Sequence, residues 1–352
     1  MDMASSRVVA DHTNNFDLIR LFAALQVAII HCATHLDVKG AWLDVFAVFP
    51  GVPIFFFISG FLIFQSWANI CERRAFVFFT NRVLRIFPAL YFCVGLSAAS
   101  LFLSGFLPLA ELAQSRFWVW LLSQVTAFQF FNPSFLRDYG VGVVNGSLWT
   151  ISVELQFYLL TPLLFLLMAR GKLVFFAAIG LFFVLNVVNT YLTPGSSVPQ
   201  KIFSVSFLPW FGMFMVGAYF SASPKLRARV IEIPWALLIG VYLVVHFIVV
   251  WGGVKYGNGI DPLSYFVLAA IVLKAAFYRP TFAGALLRRN DISYGVYIFH
   301  MPIVNFLIYF GLQGFVGFWI AIFGTVVFAL ISWFLVEKPA LRLKKVALRS
   351  MG

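Results

Sequence analysis

The sequence predicts an all-α, polytopic membrane helix bundle, and three observations carry that prediction. The 352 residues are 62% hydrophobic and only 11% charged, and their mean hydropathy is +0.94. Such a composition places most of the chain in hydrocarbon rather than in water. Apolar runs of about 20 residues, the length that a transmembrane helix needs, recur along the chain. These runs are continuous and contain many of the 44 Phe residues, whereas barrel strands alternate apolar with polar residues.

The apolar runs predict about ten full transmembrane helices and one shorter element. The candidate spans are 16–36, 43–68, 86–106, 148–168, 173–192, 202–221, 234–252, 263–278, 293–311 and 316–336. The shorter run at 117–131 is expected to form a partial, re-entrant or interfacial element, because only then do all the basic loops face one side. We therefore divide the chain into an N-terminal tail (1–15), a transmembrane domain (16–336) and a basic tail (337–352).

Positive charge follows the loops of this predicted bundle. Lys and Arg number 25 against 13 Asp and Glu, for a net charge of +12. Because the basic residues lie mainly between apolar runs, they indicate the positive-inside bias of a membrane protein and not nucleic-acid binding. We expect both termini and the loops at 69–85, 222–233 and 279–291 to be cytoplasmic.

The cysteines and the first span add two exclusions. Cys32, Cys71 and Cys93 have no paired spacing, so neither a disulfide framework nor a metal site is indicated. No cleavage-site pattern accompanies the first span, which is therefore expected to remain in the chain.

Ionisable residues inside apolar spans are costly and are therefore candidates for function. The first span contains Asp17, Arg20, His31 and His35. Arg20 and His31 are separated by about three helical turns and ~16 Å, so they share one face at two depths. Asp17 is positioned to pair with Arg20. Two alternatives stay open: a structural histidine, and metal ligation by His31 with His35, for which no third ligand follows.

Glu154 is the second intramembrane candidate. It lies in the segment that begins Ser147-Leu148-Trp149, and we expect it at a depth similar to that of His31. A carboxylate there must be protonated, paired or open to water, and an imidazole is a natural partner. The alternative is a glutamate that locks two helices together.

Three further segments contain candidate functional residues. Gly60 follows Ser59 among bulky aromatic residues, which allows close approach of a backbone or a ligand. Arg82 and Arg85 point one way and would suit a nucleotide phosphate, although positive-inside anchoring explains them almost as well. Pro302 follows His300 and frees a backbone carbonyl near mid-bilayer, as in helices that line cavities.

Together these segments resemble the acyltransferase-three family of integral membrane O-acyltransferases, which includes bacterial O-antigen and exopolysaccharide O-acetyltransferases. The resemblance covers nearly the whole chain and rests on six blocks in order. They are Arg20 with His31, Phe-Phe-x-x-Ser-Gly-Phe at 55–61, Arg-x-x-Arg at 82–85 with Pro88, Ser-Leu-Trp to Phe-Tyr at 147–158, Ile-Ser-Tyr to Pro at 292–302, and Val-Glu-Lys-Pro at 336–339. Leu155 departs from the family pattern, where a second Glu is common, and Phe299 and Met301 replace a frequent Trp.

The resemblance implies acyl-CoA, with acetyl-CoA expected, as the donor and a hydroxyl of a carbohydrate or glycolipid as the acceptor, without a metal. His31 would be the catalytic base, or would carry the acyl group covalently, with Glu154 supporting it. The donor-binding candidates are Arg20, Ser59, Arg82 and Arg85. The acceptor-binding candidates are Trp149, Tyr158, Tyr297 and His300.

Two other classes of function remain open from the residues alone. A proton-coupled transporter would use Arg20, His31, Glu154 and His300 as a relay. A glycan flippase would move the acceptor without chemistry. Because the chain ends soon after its last span, an enzyme of this kind is expected to acylate its acceptor directly or through a separate partner. The sequence does not indicate an oligomeric state.

Overall fold

The computed structural model describes residues 14–69, 75–192, 197–252, 260–288 and 290–349. These residues form sixteen α-helices, short 3-10 and π segments, and no β-strand, which confirms the predicted all-α class. The helices are α1 Phe16–His35, α2 Trp42–Ala47, α3 Gly51–Ala68, α4 Ala75–Leu103, α5 Ser115–Val125, α6 Trp149–Ala169, α7 Lys172–Val187, α8 Val198–Ser204, α9 Phe211–Ala222, α10 Pro224–Glu232, α11 Trp235–Trp251, α12 Pro262–Phe277, α13 Phe282–Leu287, α14 Ser293–Tyr309, α15 Gly314–Ser332 and α16 Lys338–Arg349. Most of the predicted N-terminal tail, Cys71 and the end of the basic tail lie outside the described residues.

Membrane-spanning length is reached by six helical segments of the described chain. They are Phe16–His35, Trp42–Ala68, Ala75–Leu103, Gly146–Ala169, Lys172–Thr190 and Gly314–Leu343. A seventh span results if α10 and α11, which meet at an angle of 89°, are counted together. The multi-spanning α-helical class is therefore confirmed, whereas the count of about ten is not.

The difference in count arises in three shorter helices. The predicted spans 202–221, 263–278 and 293–311 correspond to α9, α12 and α14, which contain 12, 16 and 17 residues. The first is cut short at Pro209, which disfavours helical geometry at the residue before it. Gln156 and Asn186 bond to backbone groups of the broken segment, at Val205, Phe207 and Pro209, and so replace the missing helical hydrogen bonds.

The element predicted at 117–131 is a short helix. Its 11 residues, α5, rise by ~16 Å, about half the thickness of the hydrocarbon core, so it cannot cross. Phe117 and Trp120 lie in a buried cluster with Leu136 and Tyr139, while Trp118 is half exposed on the other side. This one-sided burial agrees with the predicted partial or interfacial element.

The chain divides into two compact units that are interleaved in sequence. The first unit takes its described residues from Met1–Ala23, Val48–Phe78 and Val153–Arg289. The second takes them from Ala24–Ala47, Phe79–Ser152 and Asn290–Gly352. Consequently α1, α4 and α6 each contribute residues to both units. The division into two tails and one membrane domain stays a prediction.

Close packing of α3 against α9 forms the centre of the first unit. A Cβ atom at Gly60 would lie 2.0 Å from the Phe214 carbonyl oxygen, and one at Gly217 would lie 2.1 Å from the Phe57 carbonyl oxygen. Both glycines therefore let the two backbones touch, as small residues do between membrane helices. The glycine of the 55–61 block has a packing function.

We expect Gly60→Ala to lower the free energy of unfolding by about 1–3 kcal/mol, because the methyl group forces the two helices apart. Gly240→Ala is the matched control, since a Cβ atom at Gly240 in α11 meets nothing within 4 Å. Thermal unfolding of the purified variants in detergent measures both. Equal melting temperatures for the two variants would contradict this role of Gly60.

Candidate active site

Two histidines from distant parts of the chain meet in the second unit. The Nδ1 atom of His31 in α1 lies 3.0 Å from the Nε2 atom of His300 in α14, and 269 positions separate them in sequence. The ring centroids are 5.1 Å apart. His300 is fully buried, whereas His31 is partly exposed. The partner that the structure gives His31 is thus an imidazole.

We assign the tautomers of this pair, taken as two neutral imidazoles, from the partners of the ring nitrogens. His300 Nδ1 lies 3.4 Å from the carbonyl oxygen of Val296, which can only accept a hydrogen bond, so Nδ1 carries the proton. Nε2 of neutral His300 is then an acceptor and receives the Nδ1–H of His31. Nε2 of His31 consequently keeps its lone pair, which is the form that a general base or a nucleophile requires.

A proline-induced gap in α14 is filled beside this pair. Pro302 has no N–H, so the carbonyl of Ile298 loses its helical partner. The Asn145 side chain donates to that carbonyl at 2.9 Å, and Cys93 Sγ lies 3.2 Å from it. The sequence correctly predicts a freed carbonyl next to His300, and the protein itself satisfies it. The register of α14 at His300 is thereby fixed to the 145 segment and to α4.

One turn further along α14, Asn305 holds the loop that precedes α6. Its side chain accepts from the Val141 N–H at 2.7 Å and donates to the carbonyls of Val143 and Val144, each at 2.9 Å. Gly140 has a φ of 57°, and a Cβ atom there would lie 2.1 Å from Asn305 Oδ1. This loop is therefore locked onto α14, although its sequence has no strong signal besides the glycines.

Tyr297 is the acceptor-binding candidate nearest the pair. Its ring centroid lies 6.0 Å from that of His300, and its hydroxyl is 2.9 Å from Thr150 Oγ1 at the start of α6. Trp149, another candidate, is the first residue of α6 and is partly exposed. The structure brings Tyr297 and the start of α6 together within the second unit.

The Glu154 cluster lies in the first unit. Glu154 Oε1 accepts hydrogen bonds from the Tyr158 hydroxyl at 2.5 Å and from Ser59 Oγ at 3.3 Å. Three candidates chosen from the sequence for separate roles are therefore neighbours. Their bonds also join α6 to α3, so the glutamate has a helix-linking function as well as any role in chemistry.

The predicted pair at the beginning of α1 is confirmed. Arg20 forms a salt bridge with Asp17 three residues earlier, and both side chains are partly exposed. The pair holds the guanidinium near the Phe16 end of the helix, about three turns from His31 along α1.

Arg85 has two acidic partners in the second unit. Its guanidinium lies 2.5 Å from Asp291 Oδ2 and 3.5 Å from Glu337 Oε2, and Glu337 is almost completely buried. Asp291 also accepts from the backbone and hydroxyl of Ser293 at the start of α14, and Ser332 donates to Glu337. Arg85 and Glu337, from two of the six sequence blocks, therefore meet at Asp291, which joins them to Ser293 of a third block. Arg85 has a structural role that the donor-binding hypothesis did not foresee.

Sequence reasoning assigned no role to several residues that organise these clusters. Asp291 and Glu337 could have been noticed as acids inside or beside apolar runs. Asn145 and Asn305 could not, because an asparagine beside a span has many ordinary uses. No three His, Cys, Asp or Glu side chains come together as a metal site within the described parts of the chain.

Comparison of the sequence with known proteins assigns this helical membrane protein to a family. The acyltransferase-three family, whose model is described as an acyltransferase domain, matches residues 13–337. The chain therefore belongs to this family of membrane acyltransferases.

Individual relatives extend over most of this chain. It is 34% identical over 364 residues to nodulation protein 10 of Rhizobium leguminosarum bv. viciae, covering 95% of this chain and 94% of that protein. It is 28% identical to the O-acetyl transferase of Shigella phage Sf6, over 93% of this chain and 95% of that protein. The peptidoglycan O-acetyltransferase OatA of Listeria monocytogenes is 25% identical over 86% of this chain, which spans about half (51%) of that longer protein. No solved structure matches the chain.

We expect Arg85→Ala to destabilise the protein by about 3–5 kcal/mol, because it leaves the carboxylates of Asp291 and Glu337 without their cation. Arg229→Ala, which removes an exposed arginine of α10, is the control and should change stability much less. Thermal unfolding in detergent compares them. A stable Arg85→Ala protein that has lost donor affinity would instead favour a phosphate-binding role for Arg85.

Proposed function

We propose that this protein is an O-acetyltransferase that moves the acyl group of acyl-CoA to a hydroxyl of a carbohydrate-containing acceptor. Family membership supports acyl transfer, and the names of the phage and Listeria relatives support an acetyl group and a glycan acceptor. The observation that carries the mechanism is the hydrogen bond between His31 and His300.

In this mechanism His31 is the catalytic base. Its Nε2 lone pair takes the proton of the acceptor hydroxyl as the hydroxyl oxygen attacks the thioester carbonyl. The C–S bond then breaks, and the departing thiolate takes the proton from His31 as coenzyme A is released. General-base assistance of this kind is worth about 10²–10⁴ in rate. A covalent acyl-imidazole route uses the same free Nε2, so the tautomer serves either chemistry.

His300 is proposed as a positioning residue in place of the acceptor-binding role expected from the sequence. By accepting the Nδ1–H of His31 it fixes the ring orientation and keeps Nε2 unprotonated, as a third group does in nucleophile–base–orienter arrangements. Trp149 and Tyr297 remain the proposed acceptor contacts. Glu154, hydrogen-bonded to Tyr158 and Ser59, is proposed to orient polar groups of the substrates on the first unit.

Donor recognition is proposed for the basic residues. Arg20, in the first unit, would bind a phosphate of the nucleotide, because a guanidinium forms paired, charge-assisted bonds with phosphate oxygens. For Arg82, in the second unit, phosphate binding stays the prediction made from the sequence. Ser59 would lie along the donor. In the proposed topology these residues face the cytoplasm of a bacterial inner membrane, while the acceptor is used at the opposite side.

The reaction itself is tested with the purified protein in detergent, radioactive acetyl-CoA and glycan extracts of the producing cell. An enzyme transfers label without a sealed membrane, and mild base should release it because the product is an ester. A transporter or flippase would transfer no label under these conditions. Mass spectrometry of the surface glycans of cells with and without the protein would then identify the acyl group and the acceptor.

We expect His31→Ala to abolish transfer and His300→Ala to lower kcat by about 10²-fold or more with little change in KM for the donor. His300→Gln should restore part of the lost activity, since an amide oxygen can accept the His31 Nδ1–H.

His35→Ala is the control for the histidine variants. It lies one turn from His31, with ring centroids 6.0 Å apart, and should keep substantial activity. Initial rates in detergent decide the matter. A folded His300→Ala protein with normal kcat, or equal rates for the Ala and Gln variants, would remove His300 from the mechanism.

A further inference from the structure

The short helix α10 directs one of its three basic residues into the protein. Lys225 and Arg229 are four positions apart, share a face and are both exposed. Arg227 lies between them, on the face that also carries the buried Val230 three positions later. Lys225 and Arg229 face outward, as basic residues on a helix surface ordinarily do. The inward arginine therefore requires a separate explanation.

Arg227 lies over aromatic rings in the first unit. Its guanidinium carbon is 5.0 Å from the ring centroid of Phe277 and 5.8 Å from that of Phe61. Phe16 contacts both rings, at 5.0 Å from Phe61 and 5.9 Å from Phe277. The three phenylalanines thus form one aromatic cluster built from α1, α3 and α12.

The in-plane N–H donors of the Arg227 guanidinium do not all have hydrogen-bond partners among the described residues. Nη1 is buried and makes no hydrogen bond to any described residue. Stacking on aromatic rings satisfies the face of a guanidinium but leaves its in-plane N–H donors available. A buried donor without a partner in a native protein demands a reason, and an anionic ligand provides one.

Other residues besides Arg227 pack α10 against the protein. Lys274 of α12 donates to the Ile231 carbonyl at 2.5 Å, near the end of α10, and lies 5.2 Å from the centroid of the Trp235 ring. Val230 is buried on the same face of the helix. These contacts fix the helix from its C-terminal half, so variants at Arg227 are expected to fold.

We propose that Arg227 binds a phosphate group of the acyl donor, as a further cation in the donor site of the first unit. The Phe16 ring connects Arg227 to the turn that carries Arg20, because Phe16 and Arg20 are four positions apart on α1 and share a face. This inference rests on the proposed function, since it takes acyl-CoA as the donor.

The test is direct binding of radiolabelled coenzyme A to the full-length protein in detergent. Arg227→Gln should weaken affinity by about 10- to 100-fold, as expected for loss of charge-assisted hydrogen bonds, and should reduce its dependence on salt. The KM for acetyl-CoA should rise while kcat at saturating donor changes little. Arg229→Gln, the exposed neighbour, is the matched control and should bind like the wild type.

Two further measurements separate the effect of charge from that of the forked donors and identify the phosphate that is bound. Arg227→Lys retains the charge but not the forked donors, so its affinity should fall between those of the wild type and Arg227→Gln. Comparison with 3′-dephospho-coenzyme A identifies which phosphate is bound: an equal loss for both ligands assigns the pyrophosphate, and a loss for coenzyme A alone assigns the 3′-phosphate.

The inference and the proposed function fail in different ways. Unchanged coenzyme A affinity in folded Arg227→Gln, or in Arg227→Lys if the Gln variant does not fold, would overturn the role of Arg227 and leave the enzyme intact. A wild-type protein that neither binds coenzyme A nor transfers label would overturn the proposed function and this inference with it.

Discussion

The hydrogen bond from His31 to His300 is the interaction on which the second unit depends. An imidazole in hydrocarbon must satisfy its N–H, and here a chain of two imidazoles ends on the backbone carbonyl of Val296. These two hydrogen bonds form only if α14 places His300 at the right position along and around its helix axis. Asn145 secures that register on the carbonyl freed by Pro302, and Gly295 lets α14 lie against Ala329 of α15, because a Cβ atom there would be 2.9 Å from the Ala329 methyl group.

Buried charge imposes the other constraint on this unit. Arg85 is shared by Asp291 and Glu337, and each acid has a second partner, a serine, within its own segment. A cluster of this kind is costly to bury but more costly to break, so all its members must be retained together. This gives the 82–85 and 336–339 blocks a structural role, and it ties both of them to the start of the helix that carries His300.

Parts of this architecture follow from the sequence, and the reasons are local. Continuous apolar runs predict the helices, the three-residue spacing predicts the Asp17–Arg20 pair, and the length of α5 follows from its short apolar run. A crossing helix is expected at 202–221, but the helix is interrupted between Ser204 and Phe211, in the segment that contains Pro209. The partner of His31 was not predictable, because α14 is apolar on every side and its periodicity does not reveal which face meets α1. The sequence likewise indicates Ser59, Glu154 and Tyr158 only as separate candidates, because it does not show which face of α3 meets α6. Their hydrogen bonds become visible only in the folded structure.

The pairing of His31 with an imidazole rather than a carboxylate has a consequence for the proposed chemistry. A neutral donor–acceptor chain avoids the large cost of placing a carboxylate next to an imidazole in a low-dielectric interior. It also stabilises an imidazolium less than a carboxylate would, so the proton taken by His31 gains little by staying there. A short-lived imidazolium suits a reaction in which the departing thiolate accepts that proton within the same transfer. The histidine pair therefore favours a base that returns its proton quickly. A proton-coupled transporter would instead require a group that holds the proton.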